Sequence, residues 1–299
     1  RVWSQRSTAT NHLTGDGWWA WIIPLQGGEV SVGLTWDRRI FTPPAEGTIP
    51  DRLTAVLRSH PIGRYLMREA VAVEKDAHFY GTVAYRNTQV IGDGWATVAD
   101  ASGFMDPLYS HGLDFVGNTV WAVHRIVADS LRGDDVQERI AAYELNYRES
   151  FQRWFSSLYQ DKYQYIGDAE LMNAAVLMDV GCYFIGPVKM VMEDHHKNLA
   201  SLPYGGPVGA AFGKFMTFYN RRLAHLGRQR RERGNFGPKN LDQHFIFRDS
   251  FLPGYAVRKL IFSGMRAWLK AEWSMLWGQR KPQPMPQLAP EVTPLSPAP

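Results

Sequence analysis

The stretch from Val90 to Gly117 reads VIGDGWATVADASGFMDPLYSHGLDFVG, and the fold turns on it. It opens on β-branched residues around Gly92-Asp93-Gly94, a tight-turn signal between two short strands. Small residues follow at Ala99-Asp100-Ala101-Ser102-Gly103, then Asp106-Pro107. After Ser110-His111-Gly112, the residues Leu113, Val116, Val120, Val123, Val127 and Leu131 recur at helical spacing, giving one apolar face. A strand that crosses into a helix through small residues lets a large ligand approach the backbone. Asp100, at the strand end, can accept hydrogen bonds from sugar-like hydroxyls. The amides of Ser110, His111 and Gly112 start the helix. Free N–H groups there, with the positive end of the helix dipole, attract an anion or an electron-rich ring edge. An Asp in a turn or a Ser N-cap needs no ligand by itself; the two at this spacing point to a site.

Upstream, Trp18 to Leu25 and Glu29 to Trp36 flank Gln26-Gly27-Gly28 and read as a β-hairpin. Ile49 to Met67 has helical spacing through Leu53, Val56 and Leu57, interrupted at Pro61. Short strands are expected at Ala70–Val73, His78–Tyr85, Thr88–Ile91 and Trp95–Val98. Downstream, Arg132-Gly133-Asp134-Asp135 stops one helix and caps the next. That next helix carries Val136, Ile140, Tyr143, Tyr147, Phe151, Phe155 and Leu158. The chain then reads as mainly helical to about residue 278, with breaks at Pro203–Pro207 and Asn235–Pro238. From Gln279, seven prolines in 21 residues predict an extended or disordered tail. The expected class is α+β: a mixed-sheet region over 1–132, a helical region over 133–278 and the tail 279–299.

The totals fit a globular chain. Of 299 residues, 45% are hydrophobic and 21% charged, which supplies a large core. Aromatics reach 13% with eleven Trp, enough to serve both packing and a pocket for a flat ligand. A net charge of +4 and a pI near 9.1 permit an anionic cofactor without implying nucleic acid. The single cysteine, Cys182, excludes an internal disulfide framework, fits a reducing cytoplasm and reads as a buried small apolar residue. No signal peptide is visible in Arg1-Val2-Trp3-Ser4-Gln5-Arg6. Tyr255–Trp277 is apolar but carries Arg258, Lys259, Arg266, Lys270 and Glu272, which argues against a membrane span. A helix packed on the protein is expected there, with an interfacial helix as the lesser alternative.

The Asp100 segment resembles the second flavin-binding motif of the FAD-dependent hydroxylase superfamily, usually G-D-A-A followed by Asp-Pro and a Gly-rich helix start. The resemblance implies that Asp100 and Ala101 hold the ribityl chain of FAD. It also implies that Pro107, Gly112 and Leu113 lie beside the ring, with halide at Ser110, His111 and Gly112. Ala99 stands where Gly is usual, and Ser102 where Ala is usual. Trp19-Ala20-Trp21-Ile22-Ile23-Pro24 matches W-x-W-x-I-P, a signature of the flavin-dependent halogenases, with Trp19, Trp21 and Ile23 on one strand face. Trp19, Trp21 and Pro24 would shape the site and keep flavin from reacting directly with substrate. The family implies FAD reduced by a separate reductase, O2, halide and an electron-rich aromatic substrate of the phenol or pyrrole type, in secondary metabolism. A carrier-tethered substrate is one form this takes.

Two departures from the family pattern matter. Tyr109 occupies the position where tryptophan halogenases carry a glutamate, so no carboxylate acts there. The family's G-x-G-x-x-G motif and essential lysine have no match here and are expected upstream of Arg1, so the 299 residues by themselves are expected to lack strong FAD binding and halogenation. A non-halogenating monooxygenase of the superfamily, or a binding remnant without cofactor, are the rival readings. His111 reads either as a proton-transfer group or as a solvent-accessible residue of the first helical turn. The six arginines from Arg221 to Arg233 read as a solvated helix face or as a docking surface for an acidic carrier protein. Asp194-His195-His196 does not suit a metal, because adjacent histidines on a helix diverge.

Overall fold

In the computed structural model, residues 8–194, 205–240 and 255–277 are described. His195, His196, the first two residues of the Pro203–Pro207 break and the tail lie outside them. The expected hairpin is present as β2 (Trp18–Pro24) and β3 (Val30–Trp36), paired antiparallel. An additional strand, β1 (Asn11–Gly15), flanks β2, giving the order β1-β2-β3. Central placement explains why β2 is buried on both faces. Trp18, Ala20 and Ile22 pack with Leu13 and Met67 and with Val56 and Leu57 of α1 (Ile49–Ser59). Trp19 joins the main core on the other face, and Trp21 packs against its edge. Opposite Trp21 is Gly33, where a Cβ would fall 1.9 Å from the indole, so the missing side chain makes room for the ring.

Thr48 caps α1 reciprocally with Asp51, and Pro61 opens a second helix, α2 (Pro61–Leu66), as its placement predicts. The short strands expected between residues 70 and 98 are mostly not formed. Residues 70–84 have no regular structure. Only the two-residue pieces β4 (Tyr85–Arg86), β5 (Ile91–Gly92), β6 (Trp95–Ala96) and β7 (Gly103–Phe104) pair, β4 with β7 and β5 with β6, all antiparallel. Local β-propensity there lacks the neighbouring strand that would satisfy a ladder.

The helical part comprises α3 (Gly112–Leu131), α4 (Gln137–Trp154), α5 (Ala169–Tyr183), α6 (Lys189–Met192), α7 (Gly206–Glu232) and α8 (Tyr255–Trp277). A π turn, Phe155–Tyr159, continues α4. The main core runs from Trp19, Val90 and Met105 through Phe115, Tyr143, Trp154 and Leu171 to Ala271, across the expected boundary at residue 132. At Gly264 a Cβ would lie 3.0 Å from the Met178 amide, so glycine lets α8 lie directly on α5. Tyr219 Oη on α7 is 3.0 Å from both the Ala174 and Gly264 carbonyls and ties the three helices. One helical stretch, Ala169–Met192, is long and apolar enough to cross a membrane by length and composition. Its Leu171, Ala174, Met178 and Cys182 are buried in the core. Burial also pushes the Cys182 thiol up to about 12, as suits a packing residue.

Candidate functional site

The turn from Asp106 to Gly112 is fastened to the rest of the protein by its side chains. Asp106 Oδ2 accepts a 2.6 Å hydrogen bond from Tyr163 Oη. Trp19 Nε1 donates to the same phenol oxygen at 3.1 Å. With the phenol proton directed at the carboxylate, the Thr35 hydroxyl at 2.9 Å is left to donate to Tyr163. Thr35 is the cross-strand partner of Trp19. Thus the tryptophan strand and the Asp-Pro turn, 87 positions apart in sequence, meet on one tyrosine from the helical half. Burial raises the Asp106 carboxyl above the usual carboxylate range and raises the Tyr163 phenol likewise.

Tyr109 is the second fastening. Its hydroxyl donates to Asp179 Oδ2 at 2.9 Å. Lys162 Nζ lies 2.5 Å from the same oxygen, 3.1 Å from Asn220 Oδ1 and 3.4 Å from Tyr109 Oη. Asn220 Nδ2 returns a bond to Asp179 Oδ1 at 3.3 Å. Lys162, Asp179 and Asn220 are all buried. Burial pulls the ammonium below its ordinary value while Asp179 opposes the shift. Tyr109 stays a neutral phenol, its pKa raised by burial and by the carboxylate beside it. The position that carries no carboxylate of its own therefore rests on a carboxylate from α5.

His111 is the third fastening, and it is buried at 7% exposure rather than solvent-accessible. Trp154 Nε1, a donor only, points at His111 Nδ1 at 3.0 Å, and Tyr159 Oη lies 2.7 Å from the same nitrogen. Nδ1 must accept, so the proton of the neutral ring sits on Nε2. Burial, with Lys162 adding repulsion, lowers its pKa to about 3. His111 accordingly holds the turn as a neutral acceptor at neutral pH. It also shares a small cleft with Gly103, Phe104, Asp106, Gly112 and Phe115.

Between these fastenings the backbone is left open to solvent. Ser110 is exposed and sits at φ 57°, a left-handed conformation uncommon outside glycine. Its N–H donates to the Pro107 carbonyl at 3.2 Å, so it is not one of the available amides. Those of His111 and Gly112 have no acceptor among the described residues, as first-turn amides should not. Of the three amides expected to face an anion, Ser110 is therefore engaged and two are left. Beyond Gly112 there is room: a Cβ would meet nothing nearer than Phe104 at 3.9 Å. Leu113 follows, 75% exposed.

Asp100 lies in a single 3-10 turn, Ala99–Ala101, that packs on α3. The Ala99 N–H donates to Thr119 Oγ1 at 2.9 Å, Tyr85 Oη donates to the Asp100 carbonyl at 2.6 Å, and Asn87 Nδ2 donates to the Ala101 carbonyl at 2.7 Å. The backbone is held on three sides while the Asp100 side chain is exposed and unbonded among the described residues. An exposed acceptor, bare helix-start amides and a glycine with open space before it form a donor and acceptor set that fits the ribityl chain and ring edge of a flavin. Ala99 has φ 55°, which explains a glycine preference at that position. Ala99→Gly is expected to be neutral or to stabilise the protein by up to ~1 kcal/mol, read from urea unfolding, because the strain of a left-handed Cβ disappears.

Trp19 and Trp21 share a strand face as expected, with ring centroids 5.6 Å apart. Pro24 ends the strand, half-buried. The sequence reading missed Lys162, Tyr163, Asp179, Asn220, Trp154 and Tyr159. A signal existed for two of them. Lys162 interrupts an aromatic run from Leu158 to Ile166, and Asp179 interrupts the apolar helix α5. The arginine run is partly a solvated face and partly paired. Arg230 is buried on Asp168 and Glu170, Arg222 grips Glu272, Arg231 grips Asp16, and Arg221 lies 3.8 Å from Asp161. Only Arg230 is buried; Arg221, Arg228 and Arg233 remain exposed.

A pinned strand-turn-helix thus carries an exposed carboxylate on one side and an aromatic strand on the other. No protein-family model matches the sequence. Flavin-dependent halogenase chlA of Dictyostelium discoideum is 22% identical over 180 residues, covering 58% of this chain and 29% of that protein. Monodechloroaminopyrrolnitrin halogenase PrnC of Pseudomonas fluorescens is 30% identical over 132 residues, 42% of this chain and 23% of that protein. The crystal structure of halogenase PltM superposes with a TM-score of 0.59 at 17% identity, over 88% of this chain and 54% of PltM, which shows a shared fold. A PltM variant has been solved in complex with FAD. These similarities are all to flavin-dependent halogenases, and the chain spans about a quarter of the length of these two curated relatives.

Proposed function

We propose that the whole protein halogenates an electron-rich aromatic of the phenol or pyrrole type in the cytoplasm, using FAD reduced by a separate reductase. The observation that carries this reading is the hydrogen-bonded link Trp19–Tyr163–Asp106, which holds the tryptophan strand against the turn that presents the His111 and Gly112 amides. When bound, reduced FAD supplies the electrons with which O2 oxidises halide to a hypohalous acid. Asp100 holds the ribityl hydroxyls, with Ala101, Pro107 and Leu113 beside it. The two amides and the positive end of α3 hold halide or the electron-rich ring edge, and the Ser110 hydroxyl stands next to them. Trp19 and Trp21 wall the site and restrict direct contact between cofactor and substrate. Tyr109 and His111, both neutral, fix the turn and leave the halide's charge uncompensated except by backbone dipoles.

The decisive assay supplies the full-length gene product with reductase, NADH, O2, bromide or chloride and phenolic or pyrrolic candidates. A halide-dependent mass shift is expected; a hydroxylated product formed equally well without halide sinks the reading. Asp100→Ala is expected to weaken FAD about tenfold in a fluorescence titration, the loss of one hydrogen bond from a charged acceptor. Its unfolding free energy should change by less than about 0.5 kcal/mol, because an exposed surface side chain is lost. Unchanged FAD affinity would remove Asp100 from the site.

A further inference from the structure

We propose that the outward face of α8 is a docking surface for an anionic lipid bilayer. The inward face of this helix is settled by Gly264 and Ile261 against α5, by Trp268 against Tyr219, and by Ala271 in the core. The opposite face carries Phe262, Leu269, Trp273 and Leu276, exposed at 73%, 56%, 66% and 78%. At 3.6 residues per turn these four fall within an arc of roughly 60° and form a stripe about 21 Å long. Single exposed apolar residues are ordinary, but an aligned stripe on one helix is not. Arg258, Lys259, Arg266 and Lys270 are also exposed and flank the stripe. The one acid of α8, Glu272, is turned inward to Arg222 and Trp268. The face is therefore apolar along its centre and purely cationic at its margins.

Charge selects the occupant. A second copy of this face would set four cations against four, which like-charge repulsion opposes. An anionic bilayer satisfies both parts: the apolar stripe enters the headgroup–acyl boundary, and the long basic side chains reach phosphates. Tryptophan favours that boundary as well. The shallow groove formed by Arg258, Lys259, Phe262, Ser263 and Arg266 offers a cationic seat for a headgroup phosphate. Packing on α5 preforms the helix, so no ordering step opposes binding. The geometry is that of a helix lying in the membrane plane.

The test is flotation of the full chain with vesicles of phosphatidylcholine alone or with roughly 30% phosphatidylglycerol. Binding is expected to the anionic vesicles and at least about tenfold less to the neutral ones. Leu269→Ser with Trp273→Ser, and separately Arg266→Glu with Lys270→Glu, should each lower that binding about tenfold while thermal midpoints hold. The proposal fails if no vesicles bind, if both kinds bind equally, or if either double variant binds like the parent. It fails also if the substitutions abolish a dimer seen by light scattering while vesicles stay unbound, which would assign the face to a protein interface.

Discussion

Lys162→Met is expected to lower the unfolding free energy by about 3–5 kcal/mol, the cost of leaving a buried carboxylate uncompensated. Lys162 is 1% exposed and Asp179 5%. Methionine fills much of the lysine volume, so the loss reports charge more than cavity. Asp179 would keep bonds from Tyr109 and Asn220, too few to replace an ammonium 2.5 Å away. The double variant Lys162→Met with Asp179→Leu should recover most of the loss, since replacing a whole buried pair with apolar groups is often neutral. Urea unfolding of the parent, the single and the double variants measures both. A single-variant loss under about 1 kcal/mol would mean that water reaches the pair, contrary to its observed burial. Because Tyr109 shares this carboxylate, the same substitution should loosen the turn at Ser110.

Acidification is expected to destabilise the protein through His111. In the unfolded chain an imidazole takes up its proton near pH 6.5, whereas buried His111 does so only at about 3. Between these values the unfolded state binds one more proton, so stability falls as pH drops through the window. The loss from this group amounts to roughly 2 kcal/mol by pH 5 and continues to grow below it. Asp106 works the other way, since its raised carboxyl is less unfavourable once protonated. Comparison with His111→Gln, which keeps an acceptor for Trp154, isolates the histidine. The parent should lose about 2 kcal/mol more than the variant between pH 7.5 and 5. Equal slopes would mean that His111 takes up its proton at the same pH in the folded and unfolded chain, contrary to the effect of its burial.

The hairpin at Trp18–Trp36 was legible because its signal is local, a glycine turn between alternating residues. The helix from Gly112 was legible as an element but not in its buried face: Leu113, Val120, Val127 and Leu131 of the expected apolar stripe are exposed, while Phe115, Ala122 and Ile126 enter the core. The strands expected near residues 70–84 were not, because β-propensity becomes a strand only where a partner strand lies alongside. The arginine run was legible only in part, for a related reason. Charge density in sequence does not say which helix face turns inward, and Asp168, Glu170 and Glu272 on other elements decided that.

By itself the sequence determined the motif residues Trp19, Trp21, Asp100 and Gly112 and the elements that carry them, since those depend on neighbours within a few positions. Only the tertiary structure decided how the motifs are joined. Tyr163, Lys162 and Asp179 act across 57, 53 and 70 positions of chain. A buried polar group must find its partner wherever packing places one, and neither period nor propensity encodes that choice.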